Sequence, residues 1–311
     1  MESLYQRDEY GKTLVELGKV NKDVVVLDAD LSSSTRTNLF AREFPERFFN
    51  FGVAEQNMMA SAAGLASCGK IVFASTFAIF ATGRAWDQLR NTVAYNNFNI
   101  KIVATHAGVS VGPDGASHQA LEDIALMRVI PNMSIIVPCD GPQAREAVIA
   151  AATTNGPFYV RLGRPKVGTI ENKGRFQLGK AQVLAEGNDV AIFACGIMVE
   201  QAIIAVESLL KKNIKARLVN MHTIRPLDTQ AVLDAARNTK GIVVCEEHTV
   251  IGGLASAINE VAAENCPARI IRIGVRNRYG QSGEPSELLK EYNLTAADIE
   301  KAALGIAKPS L

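Results

Sequence analysis

Short runs of β-branched and other apolar residues alternate along the chain with amphipathic or alanine-rich segments. Strands without polar alternation are buried on both faces, and strands that alternate with helices form parallel sheets. The pattern therefore predicts an α/β fold of two domains, each a mainly parallel sheet with helices on both faces. The predicted strands are DVVVLDADL (23–31), IVFASTF (71–77), IKIVATHAG (100–108), MSIIVPC (133–139), FYVRLG (158–163), DVAIFACG (189–196), ARLVNMHTI (216–224), GIVVCEE (241–247) and ARIIRIGV (268–275).

The length of the chain also favours two domains. It has 311 residues, and one domain usually takes about 100–200 residues. Residues 166–180 contain glycine and charges of both signs without apolar periodicity, which is typical of a linker. We therefore expect domains at 1–165 and 181–311, joined by a linker at 166–180.

Charge and cysteine content exclude several functional classes. The net charge is +1, so nothing indicates binding to nucleic acid or to an anionic membrane. No apolar run reaches the about 18 residues that span a bilayer, and the polar start MESLYQRDEY is unlike a signal peptide. The five cysteines are isolated and odd in number, which favours reduced thiols in a cytoplasmic protein.

Polar and aromatic residues stand at the ends of the predicted strands. Ligands of open α/β sheets bind beyond the carboxyl ends of the strands, so these residues are the first candidates for a site. Asp28, Asp30 and Ser34 stand at or just after the end of the first predicted strand, and Phe77 and Phe80 at or just after the end of the second. His106 stands near the end of the third predicted strand, and Arg161 lies within the fifth.

The stretch THAGVSVGPDGASHQ (105–119) is the densest group of such residues. Its glycines and proline predict an irregular loop whose backbone can approach a ligand closely. His106 and His118 can titrate near neutrality, and Asp114 can hold hydroxyl groups. Two histidines and an aspartate on one strand-end loop favour a functional role over a structural one.

Glu55 stands in FFNFGVAEQNMMASAAGLASCG (48–69), at the start of a run that carries no other charge before Lys70. Small residues there indicate a helix that packs closely. A carboxylate in such a place is costly to bury unless another group binds it. The sequence therefore raises the question of what Glu55 binds.

Other candidates are open to structural interpretations. Phe77 and Phe80 are either core residues or a flat wall for a heteroaromatic ring. Asp140 is expected to be a helix N-cap. We expect His222 and His248 to be structural or interface residues, and the Glu246–Glu247 pair beside His248 is a weaker candidate site.

Taken together, these residues resemble the transketolase family of thiamine-diphosphate enzymes over nearly the whole chain. GVAEQNM (52–58) matches the motif of the cofactor glutamate, with Glu55 as that glutamate. THAGVSVGPDGASHQ matches the substrate-loop motif in its spacing. The resemblance implies a pyrimidine-binding domain followed by the transketolase C-terminal domain.

The resemblance implies that Glu55 activates thiamine diphosphate. Its hydrogen bond to the pyrimidine ring nitrogen favours a basic imino tautomer, which deprotonates the thiazolium carbon to the ylide. Phe77 and Phe80 match the family's aromatic wall, whereas Gly83 stands where larger transketolases have a third aromatic residue. Asp30 lies where the family has an acidic residue at the cofactor interface.

The implied reaction transfers a two-carbon glycolaldehyde unit from a ketose phosphate to an aldose phosphate. By resemblance, His106 and Asp114 hold donor hydroxyls, and His118 binds near the reacting oxygens, where it can shuttle protons. The implied catalytic residues are thus Glu55, His106 and His118.

The resemblance also implies a site for the sugar phosphate. Arg7, Ser34 and Arg161 fall where the family binds this group. An arginine fork can grip phosphate oxygens in pairs, which suits the task.

One family motif is missing from the chain. Transketolases hold the diphosphate and its metal with a GDG motif and a downstream asparagine in a separate N-terminal domain, and this chain contains no GDG. The chain therefore resembles the C-terminal subunit of a split transketolase. We expect an N-terminal partner subunit to hold the diphosphate and Mg²⁺ or Ca²⁺, in a heterotetramer of two copies of each chain.

Three alternative functions share part of this pattern. A 1-deoxyxylulose-5-phosphate synthase shares the AEQ motif and the GxDGxxHQ loop but lacks the histidine that corresponds to His106. The β subunits of 2-oxoacid dehydrogenases are also separate chains made of a pyrimidine-binding and a C-terminal domain, but their loop differs from GPDGASHQ (112–119). A non-catalytic partner of the same fold would not need Glu55, Asp114 and His118.

Overall fold

The computed structural model describes residues 3–171 and 174–308, which form two large mainly parallel sheets with helices on both faces and a small two-stranded ribbon. The strands are β1 (Ser3–Tyr5), β2 (Val24–Asp28), β3 (Phe48–Asn50), β4 (Ile71–Phe77), β5 (Ile100–Thr105), β6 (Ser134–Ile136), β7 (Phe158–Arg161), β8 (Lys166–Gly168), β9 (Gln182–Ala185), β10 (Val190–Ala194), β11 (Ala216–Asn220), β12 (Thr223–Arg225), β13 (Ile242–Thr249) and β14 (Ile270–Val275). The predicted α/β fold class is confirmed.

The α-helices connect these strands in the order expected of a parallel sheet. They are α1 (Gln6–Val20), α2 (Ser32–Thr35), α3 (Asn38–Glu43), α4 (Glu55–Ser67), α5 (Asp123–Arg128), α6 (Gly141–Thr153), α7 (Met198–Lys211), α8 (Thr229–Asn238), α9 (Leu254–Asn265), α10 (Pro285–Glu291) and α11 (Ala296–Ala307). Two π-helical segments, Phe80–Arg84 and Gln88–Ala94, follow β4, and short 3-10 helices lie at Pro45–Arg47 and Val109–Asp114.

The first sheet has the strand order β12-β6-β7-β5-β4-β2-β3 and is parallel except for β12. Strand β2 shows why both faces are covered. Val24 and Val26 pack in the same core cluster as α1 and α6, whereas Val25 and Leu27 pack in the cluster that contains α4. A strand that is apolar at every position buries alternate side chains under helices on opposite faces.

The second sheet has the order β14-β13-β10-β11-β9 and is parallel except for β9. Helices α7 and α11 cover one face, in a core cluster that also contains Val109, Leu121 and Cys139 of the first domain. Helices α8 and α9 cover the other face, and their apolar residues join the core cluster that extends under the first sheet. The hydrophobic core is therefore continuous between the two sheets.

The predicted strand at 216–224 is divided between the two sheets. Its first part, β11, pairs with β10 in the second sheet, and its last part, β12, pairs antiparallel with β6 in the first. The chain crosses where the Met221 amide donates to the Ala194 carbonyl and the His222 carbonyl accepts from the Val137 amide. One predicted strand thus contributes to both sheets, as an internal strand of the second and as the edge strand of the first.

The segment predicted as a linker contains regular structure. Strand β8 pairs antiparallel with β1, which the sequence analysis did not predict. Phe176 and Leu178 pack against the core cluster of α1 and α6. Residues 172 and 173 of the predicted linker lie outside the described residues.

Two further expectations concern local features. Asp140 caps α6, since its carboxylate accepts from the Gln143 amide at 2.8 Å, so the predicted N-cap is confirmed. The five cysteines all lie in the described part of the chain and are free thiols. Among the residues described, no helix combines the length and apolar character needed to cross a membrane.

Lys101 is a buried cation near the amino end of β5. Its Nζ donates to the carbonyls of Thr154 and Gly156, both at 2.8 Å, and lies 4.5 Å from the ring centre of Phe158. The side chain is fully buried, and burial lowers the pKa of Lys101 to about 7. Folding therefore favours the neutral amine.

This shift predicts a pH dependence of stability. Between about pH 7 and the ordinary pKa of 10.5, the unfolded chain holds a proton on Lys101 that the folded chain has lost. The free energy of unfolding should then rise with pH across this interval. We expect the unfolding free energy of wild type, measured by urea denaturation, to rise relative to that of Lys101→Met from pH 7 to pH 10. A difference that stays constant over that range would show that Lys101 keeps its ordinary pKa.

Candidate active site

The carboxyl ends of β2, β4, β5 and β7 lie along one edge of the first sheet. The strands are adjacent and parallel, with Asp28 opposite Ser75 and Phe77 opposite Thr105. Residues that follow these strands are therefore brought together although they are far apart in sequence. Most of the predicted site residues lie at this edge.

Glu55 is the first residue of α4, and its side chain is 2% exposed. Nη1 of Arg84 donates to both carboxylate oxygens, at 2.8 and 2.9 Å. Arg84 ends the first π-helical segment, and its side chain is 46% exposed. The amino end of a helix also favours a negative charge. The buried carboxylate is thus compensated, and it retains lone pairs for a further donor.

Phe77, Phe80, His106 and His118 form an aromatic cluster beside this carboxylate. The two phenylalanine rings are nearly parallel, with centroids 6.1 Å apart. His106 stacks on Phe77 at 3.9 Å, and His118 meets Phe80 edge-on at 5.3 Å. The guanidinium of Arg84 lies 4.5 Å from the ring centre of Phe80, which links the cluster to Glu55. The cluster gives the site an apolar wall with imidazole nitrogens at its border.

The geometry around His106 defines its tautomer. Nη1 of Arg7 lies 3.4 Å from Nε2 of His106, and arginine can only donate, so Nε2 is the acceptor. Nδ1 then carries the proton and donates to Oγ1 of Thr105 at 2.9 Å. Burial, assisted by the charge of Arg7, lowers the pKa of His106 to about 3. His106 is therefore neutral at pH 7 and suited to hydrogen bonding.

Charged side chains surround His106 at the rim of the site. Nη1 of Arg7 donates to the Ser34 carbonyl at 3.4 Å. Arg164 donates to the Val111 carbonyl, and its Nη1 lies 3.6 Å from Oδ1 of Asp114. The charge of Arg164 also acts to lower the pKa of His106. The rim thus presents two guanidinium groups and one carboxylate.

The turn after β2 carries Asp30 and Ser34. Asp28 is buried beneath it and accepts from the Leu31 amide at 2.6 Å, and burial raises the pKa of Asp28. Asp30 is exposed, with a φ of 65°, and Oδ1 accepts from the Asn50 side chain at 3.3 Å. Asp28 therefore shapes the turn, whereas Asp30 is free to meet another molecule at the surface.

The structure does not bring Arg161 to this group. Its side chain is 6% exposed, and Nε donates to Oδ2 of Asp123 at 2.7 Å. Its Nη2 donates to Asp123, Ala120 and the Glu247 carbonyl. A strand residue points to one face of the sheet, and here that face is covered, so Arg161 does not reach the rim.

Two arginines at the site were missed by the sequence analysis. Arg84 directly follows Gly83, and the signal for it is that a buried Glu55 needs a cation nearby. Arg164 stands three residues after Arg161, beyond the end of β7, with its side chain 34% exposed. Its position past the strand end is the signal that distinguishes it from Arg161.

The remaining candidates have structural partners. The carboxylate of Glu246 accepts from the amides of Leu254 and Ala255 at the start of α9. His222 is buried against the ring of Phe176, at 4.4 Å between centroids. Within residues 3–171 and 174–308, no three His, Cys, Asp or Glu side chains converge as a metal site would require.

Comparisons with known proteins identify the family. The chain matches the family models "Transketolase, pyrimidine binding domain" over residues 3–169 and "Transketolase, C-terminal domain" over residues 179–299. A Methanocaldococcus jannaschii protein named as a transketolase C-terminal section is 50% identical over 299 residues, which cover 95% of this chain and 94% of that protein. Human transketolase is 38% identical over 96% of this chain, but the match covers only 48% of its own length.

The solved structures agree with this result. A split-gene transketolase, solved as an inactive β4 tetramer, superposes with a TM-score of 0.91 at 50% identity, and the match covers 98% of both chains. Family models and structure thus agree on the same two domains in the same order. The chain belongs to the transketolase family and consists of that family's pyrimidine-binding and C-terminal domains.

Proposed function

We propose that the chain is the C-terminal subunit of a two-chain transketolase, which transfers a glycolaldehyde unit from a ketose phosphate to an aldose phosphate. The observation that carries the proposal is Glu55, a buried carboxylate at the first turn of α4 beside the aromatic cluster. Membership of the family and the split-gene relative support it.

The residues present fit thiamine diphosphate, on which the transketolase family depends. A buried carboxylate with free lone pairs can accept a hydrogen bond from a protonated ring nitrogen. Phe80, half-buried beside it, offers an apolar ring for a flat heterocycle. When bound, thiamine diphosphate supplies a carbon nucleophile and the electron sink for cleaving the ketose carbon–carbon bond. Glu55 would hold the ring nitrogen in its protonated form, while Phe77, Phe80 and Asp30 would line the cofactor.

We propose that a partner chain holds the diphosphate and its Mg²⁺ or Ca²⁺. The sequence contains no GDG motif, and human transketolase is about twice as long as the region that this chain matches. An N-terminal subunit with that motif would complete the site, and two copies of each chain would form the heterotetramer.

The rim supports binding of a phosphorylated sugar. His106 and His118, together with Asp114, would hold the hydroxyl and carbonyl oxygens of the donor ketose, since imidazole nitrogens and a carboxylate suit these groups. Arg7 and the turn at Ser34 would contact the phosphate, which an arginine grips with charge-assisted hydrogen bonds. His118 is the candidate proton shuttle, because it is half-exposed and borders the aromatic cluster.

We further propose that Arg164 takes the phosphate-binding role first expected of Arg161. Arg164 lies beside Asp114 and acts electrostatically on His106 together with Arg7. Arg161 is instead committed to Asp123 in the interior. A rim with Arg7 and Arg164 matches the charge of a phosphate dianion.

The alternative functions fit less well. His106 stacks on Phe77 and contacts Arg7 at the centre of the site, and a synthase-like chain would lack this histidine. The comparisons with the M. jannaschii protein and with the split-gene transketolase also favour transketolase over the 2-oxoacid dehydrogenases.

Activity of the reconstituted complex tests the proposal. We expect the chain alone to be inactive, and the chain mixed with a GDG-containing N-terminal subunit to convert a ketose phosphate and an aldose phosphate in the presence of thiamine diphosphate and Mg²⁺.

Glu55→Gln should lower kcat by about 10²-fold or more, because the proton transfer that Glu55 promotes is lost. The exposed Glu43→Gln is the matched control and should leave kcat unchanged. Transferase activity of the chain alone, or normal turnover of Glu55→Gln, would refute the split-site proposal.

A pair of arginine variants tests the phosphate site. Arg164→Ala should raise the KM for a phosphorylated donor by about 10- to 100-fold, the loss expected for a charged hydrogen bond. The KM for a non-phosphorylated ketose should change little. Arg161→Met should instead lower the free energy of unfolding by about 3–5 kcal/mol, because it leaves Asp123 buried without a counter-ion. An unchanged KM in Arg164→Ala would remove Arg164 from the phosphate site.

A further inference from the structure

The loop from Gly108 to Gln119, here called the substrate loop, combines internal hydrogen bonds with contacts to other parts of the chain. Gly108, Gly112 and Gly115 all have φ between 77° and 84°, and the chain between them forms only a short 3-10 helix. Asp114 and His118 lie on this loop. Their placement at the rim also depends on the contacts that the loop makes with residues outside it.

Glu247 of β13 provides the first of these contacts. Its Oε1 accepts a hydrogen bond from the Ser110 amide at 2.6 Å across the boundary between the two sheets. The carboxyl group also fills the space beside Gly108, where an added Cβ would lie 2.2 Å from Cδ of Glu247. Burial raises the pKa of Glu247 to about 7, so near neutral pH the group is easily protonated and still accepts from Ser110.

Buried hydrogen bonds hold Glu247 itself in place. Nη2 of Arg161 donates to the Glu247 carbonyl at 2.9 Å, and the same guanidinium binds Asp123. Asp123 begins α5, which follows the substrate loop, and also accepts from the Tyr159 hydroxyl at 2.6 Å. The end of β13 is thus tied to β7 and to α5, and Glu247 has little freedom to move away from Ser110.

A second contact comes from the segment between β14 and α10. Nε2 of Gln119 donates to the Gln281 carbonyl at 2.9 Å and to the Val109 carbonyl at 3.1 Å. An added Cβ on Gly115 would lie 2.6 Å from Oγ of Ser282, so the two segments are in close contact. Both ends of the substrate loop therefore rest on residues of the C-terminal domain.

We propose that Glu247 is a positioning residue for the transferase reaction, which holds the substrate loop so that Asp114 and His118 face the donor sugar. The inference rests on the proposed function of that loop. Glu247 is buried and bonded to the backbone of Ser110, so it acts through the loop and touches no substrate. The C-terminal domain then shapes the substrate site of the first domain.

The test compares two substitutions of nearly equal volume in the reconstituted complex. Glu247→Gln keeps an oxygen that can accept from the Ser110 amide, whereas Glu247→Leu fills the space without any acceptor. We expect Glu247→Leu to raise the KM for the donor ketose by about tenfold with kcat within about twofold, because the loop binds ground state and transition state alike. Glu247→Gln should restore a KM close to that of wild type.

Two further variants guard against a general loss of stability. Glu246→Gln on the same strand removes an acceptor from the start of α9, so it should lower the melting temperature without changing the KM. Gly108→Ala disturbs the same contact from the loop side and should raise the KM even if Glu247→Leu does not fold. An equal rise in KM for Glu246→Gln and Glu247→Leu, or a normal KM in Gly108→Ala, would overturn the proposal.

Hydrogen exchange separates this inference from the proposed function. In the isolated chain, the Ser110 amide should exchange at least tenfold faster in Glu247→Leu than in wild type, whereas amides of β4 and β5 stay protected. Unchanged exchange at Ser110 would refute the anchor itself. A complex without transferase activity but with faster exchange in Glu247→Leu would refute the proposed function and leave the anchor standing.

Discussion

The buried guanidinium of Arg161 joins the two halves of the chain, because it pairs with Asp123 of the first domain and donates to the Glu247 carbonyl of the second. Burial alone would raise the pKa of Asp123, but the adjacent guanidinium of Arg161 keeps that pKa below its usual range. The same guanidinium binds carbonyls before α5 and at the end of β13. A buried pair of this kind adds little net stability over an apolar contact, yet it tolerates few alternative arrangements. The candidate site depends on this arrangement because its loop lies between the joined elements.

Much of the fold could be predicted from the sequence because buried strands and helix caps are local patterns. Unbroken apolar runs marked the central strands, and Asp140 marked the start of α6. The crossing between β11 and β12 could not be predicted, since no glycine or proline interrupts residues 216–224 and only tertiary pairing divides them.

The sequence could predict which residues belong to the candidate site better than it could predict which of them contact each other. Glu55 is buried, as its apolar surroundings indicated, but its partner Arg84 lies 29 positions away on a π-helical segment. Arg161 and Arg164 are both arginines near the end of the same predicted strand. What separates them is that β7 ends at Arg161, so one side chain points under a helix and the other projects beyond the edge of the sheet. Local pattern cannot locate the end of a strand to within three residues.

The antiparallel strand β12 has a consequence for how such chains can evolve. It belongs by sequence to the second half of the chain, yet it closes the outer edge of the first sheet beside β6. Recombination that exchanged one C-terminal domain for another would also replace a strand of its neighbour, and a gene broken after β8 would leave β6 with an open edge prone to unwanted pairing. The pyrimidine-binding and C-terminal domains are therefore expected to be inherited together, whichever other domains join or leave them.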